Sequence, residues 1–218
     1  MRIEFAAYYI LSNDVQFRWE RTLALQRKIW PDWSTSLVRK VFVVDRTYSF
    51  DGPLHAVGDV IRIDLFNDQR HVLFSRAKNE GIRWAERNAV DWLLDADADA
   101  VIVQPPDRLP ETQYSSMLCH FQAESESIGS LERKAAGGLL EARHFSRFLL
   151  GRGVFTKFRF DEEFHGYAGE DVDFHLNLIQ RNGIQWSESG MRGINLYHPM
   201  GARPGNIERL NRKSKGLL

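Results

Sequence analysis

The sequence predicts an α/β fold: a mainly parallel, twisted sheet flanked by helices in one compact domain. Three observations predict it. Apolar, β-branched runs alternate with segments of helical periodicity through the first half, aspartates close two of those runs, and no repeat, low-complexity stretch or linker divides the chain. With 218 residues, 43% of them hydrophobic and 12% aromatic, the chain has enough apolar surface for one sizeable core.

Taken in order, RIEFAAYYI at residues 2–10 reads as a first strand. FRWERTLALQRKIW, from Phe17, carries apolar residues at helical intervals and stops at Pro31. VRKVFVVD, from Val38 to Asp45, is a buried strand closed by the turn-rich segment DRTYSFDGP. A short strand is expected over Asp59 to Leu65. A helix is expected over SRAKNEGIRWAERNA, with Ala77, Ile82, Ala85 and Ala89 on one face, and VDWLL then returns to strand. Parallel sheets of this kind bind ligands outside the carboxyl ends of their strands, where Asp45 and Asp95 would lie. VIVQPPDRLPETQ reads as a strand and then a proline-rich loop, and AAGGLL as a turn or close backbone approach. GEDVDFHLNLIQRNG places Val172, Leu176 and Ile179 on one helical face and stops at Asn182-Gly183; the strand GINLYH comes next and delivers His198. The loops at Pro105 to Gln113 and Phe121 to Lys134 carry no interpretable pattern. Residues 203–218 form a basic tail.

Lys plus Arg and Asp plus Glu balance at 29 each, so no overall field favours nucleic acid, an anionic membrane or an acidic ligand. Specificity must be local. The single Cys119 cannot form an internal disulfide, and the start MRIEFAAYYILSND is unlike a secretory signal, so a reducing, cytoplasmic setting is expected. No apolar run approaches the roughly 20 residues of a membrane-spanning helix.

One acidic feature stands out: DADAD, Asp95 to Asp99, three carboxylates on alternate residues behind an apolar run. A solvated acidic turn is the plain reading. An EF-hand loop is excluded, because its sixth and twelfth places require Gly and Glu, where this chain has Ala100 and Pro106. The remaining reading is a divalent ion held by one or two carboxylates, with phosphate oxygens and water completing its shell.

FSRAKNEGIRWA, WLLDADAD, HGYAGEDVDF and LYHP, in that order, resemble the characteristic segments of GT-A-fold, nucleotide-sugar-dependent glycosyltransferases. The closest likeness is to the inverting β-1,4-galactosyltransferase type and bacterial family-2 relatives, from about Phe5 to about Asn206. The resemblance implies a Rossmann-like GT-A domain with a nucleotide-sugar-binding half (1–100) and an acceptor and catalytic half (101–202). In the D-x-D segment it implies that Asp95 reaches the ribose and Asp97 the metal, with Asp99 an extra carboxylate that leaves the register open by two residues. It implies donor contacts from Phe74 and Arg76, whose plain roles are a core aromatic and a surface arginine. Asp45 corresponds to a residue that reads the uracil edge; its simpler role is a turn cap. GYAGEDVDF resembles Gly-Trp-Gly-Gly-Glu-Asp, which implies Asp171 as catalytic base, Glu170 assisting it or binding acceptor, and Tyr167 against the acceptor sugar. Acids at that place also serve as plain helix caps. His198 stands where such enzymes supply a further metal ligand, and a set of carboxylate, imidazole and diphosphate suits Mn2+ better than Mg2+.

The expected activity is metal-dependent transfer of a sugar, with inversion, from a UDP-sugar to a hydroxyl on a glycan, a lipid-linked glycan or another acceptor. A sugar nucleotidyltransferase ranks below it, since YYILSNDVQFRW lacks the glycine-rich loop such enzymes carry after the first strand. A non-catalytic module that holds nucleotide sugar or glycan on the same fold is the other alternative. The basic tail, with Arg203, Arg209, Arg212, Lys213 and Lys215, would meet nucleic acid or lipid phosphate only if it is more than a solvated terminus.

Overall fold

A computed structural model describes residues 3–36, 38–50, 52–68, 71–104, 110–138, 140, 144–165 and 169–197, without the side chains of residues 104 and 144–146. Tyr167, His198 and the basic tail lie outside these residues.

The strands are β1 (Phe5–Leu11), β2 (Val38–Asp45), β3 (Asp59–Ile63), β4 (Trp92–Asp95), β5 (Ala100–Gln104), β6 (Tyr114–Phe121), β7 (His144–Gly151) and β8 (Trp186–Asn195). The helices are α1 (Gln16–Ile29), α2 (Gly52–His55), α3 (Phe74–Arg87), α4 (Ile128–Ala136), α5 (Arg152–Phe155) and α6 (Glu170–Leu176). All eight strands form one sheet in the order β3-β2-β1-β4-β7-β6-β8-β5. The first half is the expected parallel unit: β3, β2, β1 and β4 run side by side in one direction. Beyond β4 the sheet is mixed, with β7 antiparallel to β4 and β6, β6 parallel to β8, and β5 antiparallel to β8. The carboxyl end of β4, where Asp95 stands, lies between these two halves.

Alternate residues of β1 feed two cores. Ala6, Tyr8 and Ile10 pack with Ala77, Ile82 and Ala85 of α3, and with Phe160 and Phe174. Ala7, Tyr9 and Leu11 pack with Trp19, Trp33 and Phe42 on the opposite face. The seat of α3 depends on Gly81, because a Cβ there would stand 2.7 Å from Cγ of the Tyr8 ring. On the other face α1 is keyed to β5: the Gln26 amide donates to the Ile102 carbonyl (2.7 Å) and accepts from its N–H (2.8 Å). One turn earlier, Thr22 Oγ1 donates to the Ala98 carbonyl at 2.6 Å. The acidic segment is thereby moored to a helix through its own backbone.

Three elements longer than a single turn are not expected from the sequence. β6 (YSSMLCHF) is buried on both faces, so it lacks alternation, and its inward serines are satisfied locally: Ser115 donates to the Ser187 carbonyl and Ser116 accepts from the Trp186 indole. α4, inside a segment that shows no pattern, starts at a Ser127 cap that accepts from the Ser130 N–H and buries only Leu131. β7 is the third. The expected apolar face is not the most buried one: Val172 is 48% exposed and lines a cleft with Ile179, while α6 packs inward through Asp173, Phe174 and, beyond it, Leu178. α6 lasts only two turns before a π-helical segment, Asn177–Arg181, shifts the phase.

Gly81→Ala tests the seat of α3. In an open helix this change stabilises by up to about 1 kcal/mol. Here the contact with a buried ring is expected to reverse the sign, costing about 1–3 kcal/mol and lowering Tm by several degrees in a thermal melt.

Candidate active site

The acidic segment is built so that its alanines anchor it and its aspartates are presented. Ala96 and Ala98 are buried, the Ala96 N–H donates to the Tyr8 carbonyl (3.0 Å), the Ala100 N–H closes a turn onto Asp97 O (3.0 Å), and the Leu196 N–H reaches Asp99 O (2.9 Å). The carboxylates that project from this frame meet two buried cations.

Lys78, on the buried stripe of α3 with Ser75, Ile82 and Ala85, has its Nζ 2.9 Å from Asp95 Oδ2, paired with Asp171 Oδ1, and 3.7 Å from Glu170 Oε1. Its ammonium also lies 4.9 Å from the Phe160 ring centroid. Arg147 of β7 spans the other two acids, with Nη1 2.6 Å from Asp97 Oδ2 and Nη2 3.1 Å from Asp99 Oδ1. Burial alone would depress the Lys78 pKa, but Asp171, Asp95 and Glu170 together hold it well above the ordinary lysine value, so the ammonium stays charged. The buried acids move the other way. Desolvation, opposed by Lys78 and reinforced by neighbouring aspartates, pushes Asp95 up to about 6 and Glu170 up to about 7. One oxygen of each, Asp95 Oδ1 and Glu170 Oε2, is buried without a hydrogen-bond partner among the described residues.

These groups open onto a cleft of about 1120 Å³ at the carboxyl ends of the parallel strands. Its polar wall includes Asp97, Asp99, Arg147, Glu170 and Asp171. Phe74, Phe148, Val172, Ile179 and Trp186 are among its apolar residues. Gly169, at φ 102°, makes the turn that places Glu170 and Asp171 at the start of α6. Asp171 has 42% of its side chain exposed, against 7% for Glu170, so of this pair Asp171 is the one an incoming molecule meets.

Of the residues singled out in the sequence, the structure brings Phe74, Asp95, Asp97, Asp99, Glu170 and Asp171 to this cleft or its floor. Arg76 is on the exposed side of α3 and Asp45 is not a cleft residue. The Asp45 carboxylate instead accepts from the N–H groups of Thr47 and Leu65, each at 3.0 Å, and from the Thr47 hydroxyl. Those bonds outweigh burial and lower its pKa, as befits a turn cap. His198 and Tyr167 lie outside the described residues. Among the described residues no three His, Cys, Asp or Glu side chains converge on a point that would hold a metal ion. Sequence reasoning assigns no role to the cations Lys78 and Arg147. Their signals are a lysine in register with the apolar stripe of a helix, and one charge inside the apolar strand FSRFLLG.

No family model and no curated protein sequence matches the chain. Solved structures do. A variant of Drosophila β1,4-galactosyltransferase 7, in complex with manganese, UDP-Gal and xylobiose, superposes with a TM-score of 0.52 at 12% identity, over 86% of this chain and 65% of that one. The fold is that of the GT-A glycosyltransferases. The mannosyltransferase PcManGT of Pyrobaculum calidifontis, with GDP-Man and Mn2+, aligns at 0.49 and 12% identity over 97% of this chain and 61% of that one. Glucosyl-3-phosphoglycerate synthase of Mycobacterium tuberculosis, with Mn2+, UDP and phosphoglyceric acid, aligns at 0.49 and 13% over 99% and 76%. This chain therefore spans less than two thirds of the galactosyltransferase's length. In GT-A terms the acidic segment closes the fourth strand and α6 faces it across the cleft. Among the described residues no helix is long and apolar enough to cross a membrane.

The titration of this cluster has a definite sign. The native state binds the Glu170 proton more tightly than the unfolded chain does, so protonation adds stability, which drains away as pH climbs from the ordinary carboxylate range to about 7. Glu170→Gln, a neutral isostere, is therefore expected to raise Tm relative to wild type by more at pH 8 than at pH 5. Lys78→Met leaves the acids buried without their counter-ion; it is expected to cost about 3–5 kcal/mol at pH 8 and less at pH 5. Effects of both variants that do not vary with pH would contradict the electrostatic account.

Proposed function

We propose that this protein is an inverting glycosyltransferase that moves a sugar from a nucleotide-sugar donor, UDP-linked in the first instance, to an acceptor hydroxyl, with Asp171 as general base. The observation that carries the reading is that one ammonium, Lys78, pairs at once with Asp95 at the strand end and Asp171 across the cleft. The two carboxylates expected to serve opposite substrates thus share a counter-ion. In the step itself the acceptor oxygen forms a bond to the anomeric carbon and the bond from that carbon to the diphosphate breaks. The electron pair leaves with the diphosphate, and the acceptor proton passes to Asp171. The paired ammonium fixes the direction of the Asp171 carboxylate. Glu170, buried behind it, orients the start of α6. Asp95 and Phe74 border the donor, and Tyr167 would meet the acceptor sugar. Asp45 and Arg76 have no part in this reading, given where they stand.

A divalent cation, Mn2+ or Mg2+, belongs to the proposal. Among the described residues the cluster has five carboxylates, Asp95, Asp97, Asp99, Glu170 and Asp171, against two cations, Lys78 and Arg147, and two buried carboxylate oxygens without hydrogen-bond partners. Such a set suits a further positive charge. Asp97 and Asp99 would hold the ion, sharing their charge with Arg147, and His198 would be its imidazole ligand. When bound, the ion supplies positive charge to the departing diphosphate. Manganese and UDP-Gal in the superposed galactosyltransferase structure support both choices.

The second reading, a module that binds nucleotide sugar without turnover, is favoured by one observation: each of the five acids already has a cationic partner within the chain. Release of UDP from a panel of UDP-sugars, measured with Mn2+, with Mg2+ and with chelator, separates the two. Transfer is expected with metal and not with chelator. Asp171→Asn is expected to lower kcat by about 10²–10⁴ with little change in donor KM, whereas Asp97→Asn should weaken donor binding and turnover together. Wild-type turnover in Asp171→Asn would remove the assigned base, and donor binding with no release from any sugar would establish the module.

A further inference from the structure

One cleft side chain that neither sequence pattern nor resemblance singles out is held in a single orientation. His175 lies four residues after Asp171 on α6, so the two project from the same face with Cβ atoms about 6 Å apart, and both line the cleft. Its Nδ1 is 2.7 Å from the hydroxyl of Tyr114, a side chain buried at the start of β6. The Phe148 ring lies nearly parallel to the imidazole, at 17° and 6.4 Å between centroids.

The pairing with Tyr114 decides the tautomer. Burial and the charges of Asp171 and Asp95 raise the Tyr114 pKa, so its hydroxyl keeps its proton, and burial lowers that of His175, so the ring is neutral. If Nδ1 were the donor, the hydroxyl proton would have no partner among the described residues, at the cost of an unsatisfied buried donor. Tyr114 therefore donates to Nδ1, and the imidazole proton sits on Nε2, which has no partner among the described residues and is left for whatever enters the cleft.

We propose that His175 is an acceptor-binding residue whose Nε2–H donates to a second oxygen of the acceptor, beside the hydroxyl that Asp171 deprotonates. The inference rests on the glycosyltransferase reading and narrows it. An acceptor recognised this way carries neighbouring hydroxyls, as a pyranose or polyol does, and a lone alcohol or a serine side chain does not. The apolar residues along the same cleft, Phe148, Val172, Ile179 and Trp186, suit the C–H face of a sugar ring. His175 is not a second base in this arrangement, because the nitrogen left for the ligand already holds a proton.

The test uses the full chain with nitrogen-15-labelled histidine, observed by long-range proton–nitrogen correlation. UDP and Mn2+ are added first, then methyl xyloside, glucoside, galactoside and mannoside in turn, with butanol as the single-hydroxyl control. The expected result is an Nε2–H tautomer for His175 and a shift of its signals with at least one pyranoside and not with butanol. For that pyranoside, His175→Gln, which keeps a donor, should bind as wild type does. His175→Phe, and the paired variant with Tyr114→Phe that leaves no orphaned hydroxyl, should bind roughly tenfold more weakly, the scale of one hydrogen bond, with UDP affinity unchanged. An Nδ1–H tautomer, a His175 signal unmoved by every pyranoside, or wild-type affinity in the paired variant would overturn the assignment. UDP binding in the same samples keeps the two readings apart: if UDP binds while His175 stays silent, only the His175 assignment falls, and if UDP fails to bind, the nucleotide-sugar reading falls with it.

Discussion

Five carboxylates on two buried cations are the constraint around which this molecule is organised. Lys78 answers Asp95, Glu170 and Asp171; Arg147 answers Asp97 and Asp99. Neither set is tolerable alone: an unpaired ammonium or carboxylate at the depth of Lys78 or Asp95 would cost several kcal/mol, and among the described residues the acids outnumber the cations. The pKa values of Asp95 and Glu170 are raised first by burial, with neighbouring aspartates adding to it against the pull of Lys78. A cluster of this kind, opening on a cleft, is what the proposed divalent cation and nucleotide diphosphate would meet.

Each part of the fold can be read as a means of assembling that cluster. The switch from parallel to antiparallel pairing at β4 places β7, and so Arg147, beside the strand that ends in Asp95. Gly81 lets α3 settle on Tyr8, which brings Lys78 down to the acids. Asn79, the next residue, ties α3 to the approach to α6 by exchanging hydrogen bonds with the backbone of Phe160, each at 2.9 Å. Thr22 and Gln26 of α1 hold the acidic segment by its main chain, leaving its side chains to the cleft. Position in this site is set by backbone and packing, and charge then depends on position.

How much of this is legible in the sequence depends on what kind of signal each part carries. The parallel half is plain, because β1 and β2 are near-continuous apolar runs, α3 has a periodic apolar face and β2 ends where turn residues begin. The acids are legible as motifs, since spacing survives without coordinates. β6 and β7 are not: polar residues interrupt their apolar runs, and serines satisfied by a neighbouring strand look like loop. The cations escape for a related reason. A lysine between Ala77 and Asn79, or an arginine within FSRFLLG, reads as an ordinary surface charge until its acidic partners, distant in sequence, are seen beside it. Val172 shows the opposite error: an apolar residue at the expected helical interval stands with Ile179 along the cleft, while burial falls on Phe174 and Leu178.

The central claim, that this one cleft receives the nucleotide diphosphate, is tested most directly by a crystal structure of the protein grown with UDP and Mn2+. The account predicts nucleotide density in the cleft between the acidic segment and α6, with the metal against Asp97 or Asp99 and the base near Phe74. Nucleotide seated elsewhere, or a cleft that stays closed to it with both acids still on Arg147, would contradict the account.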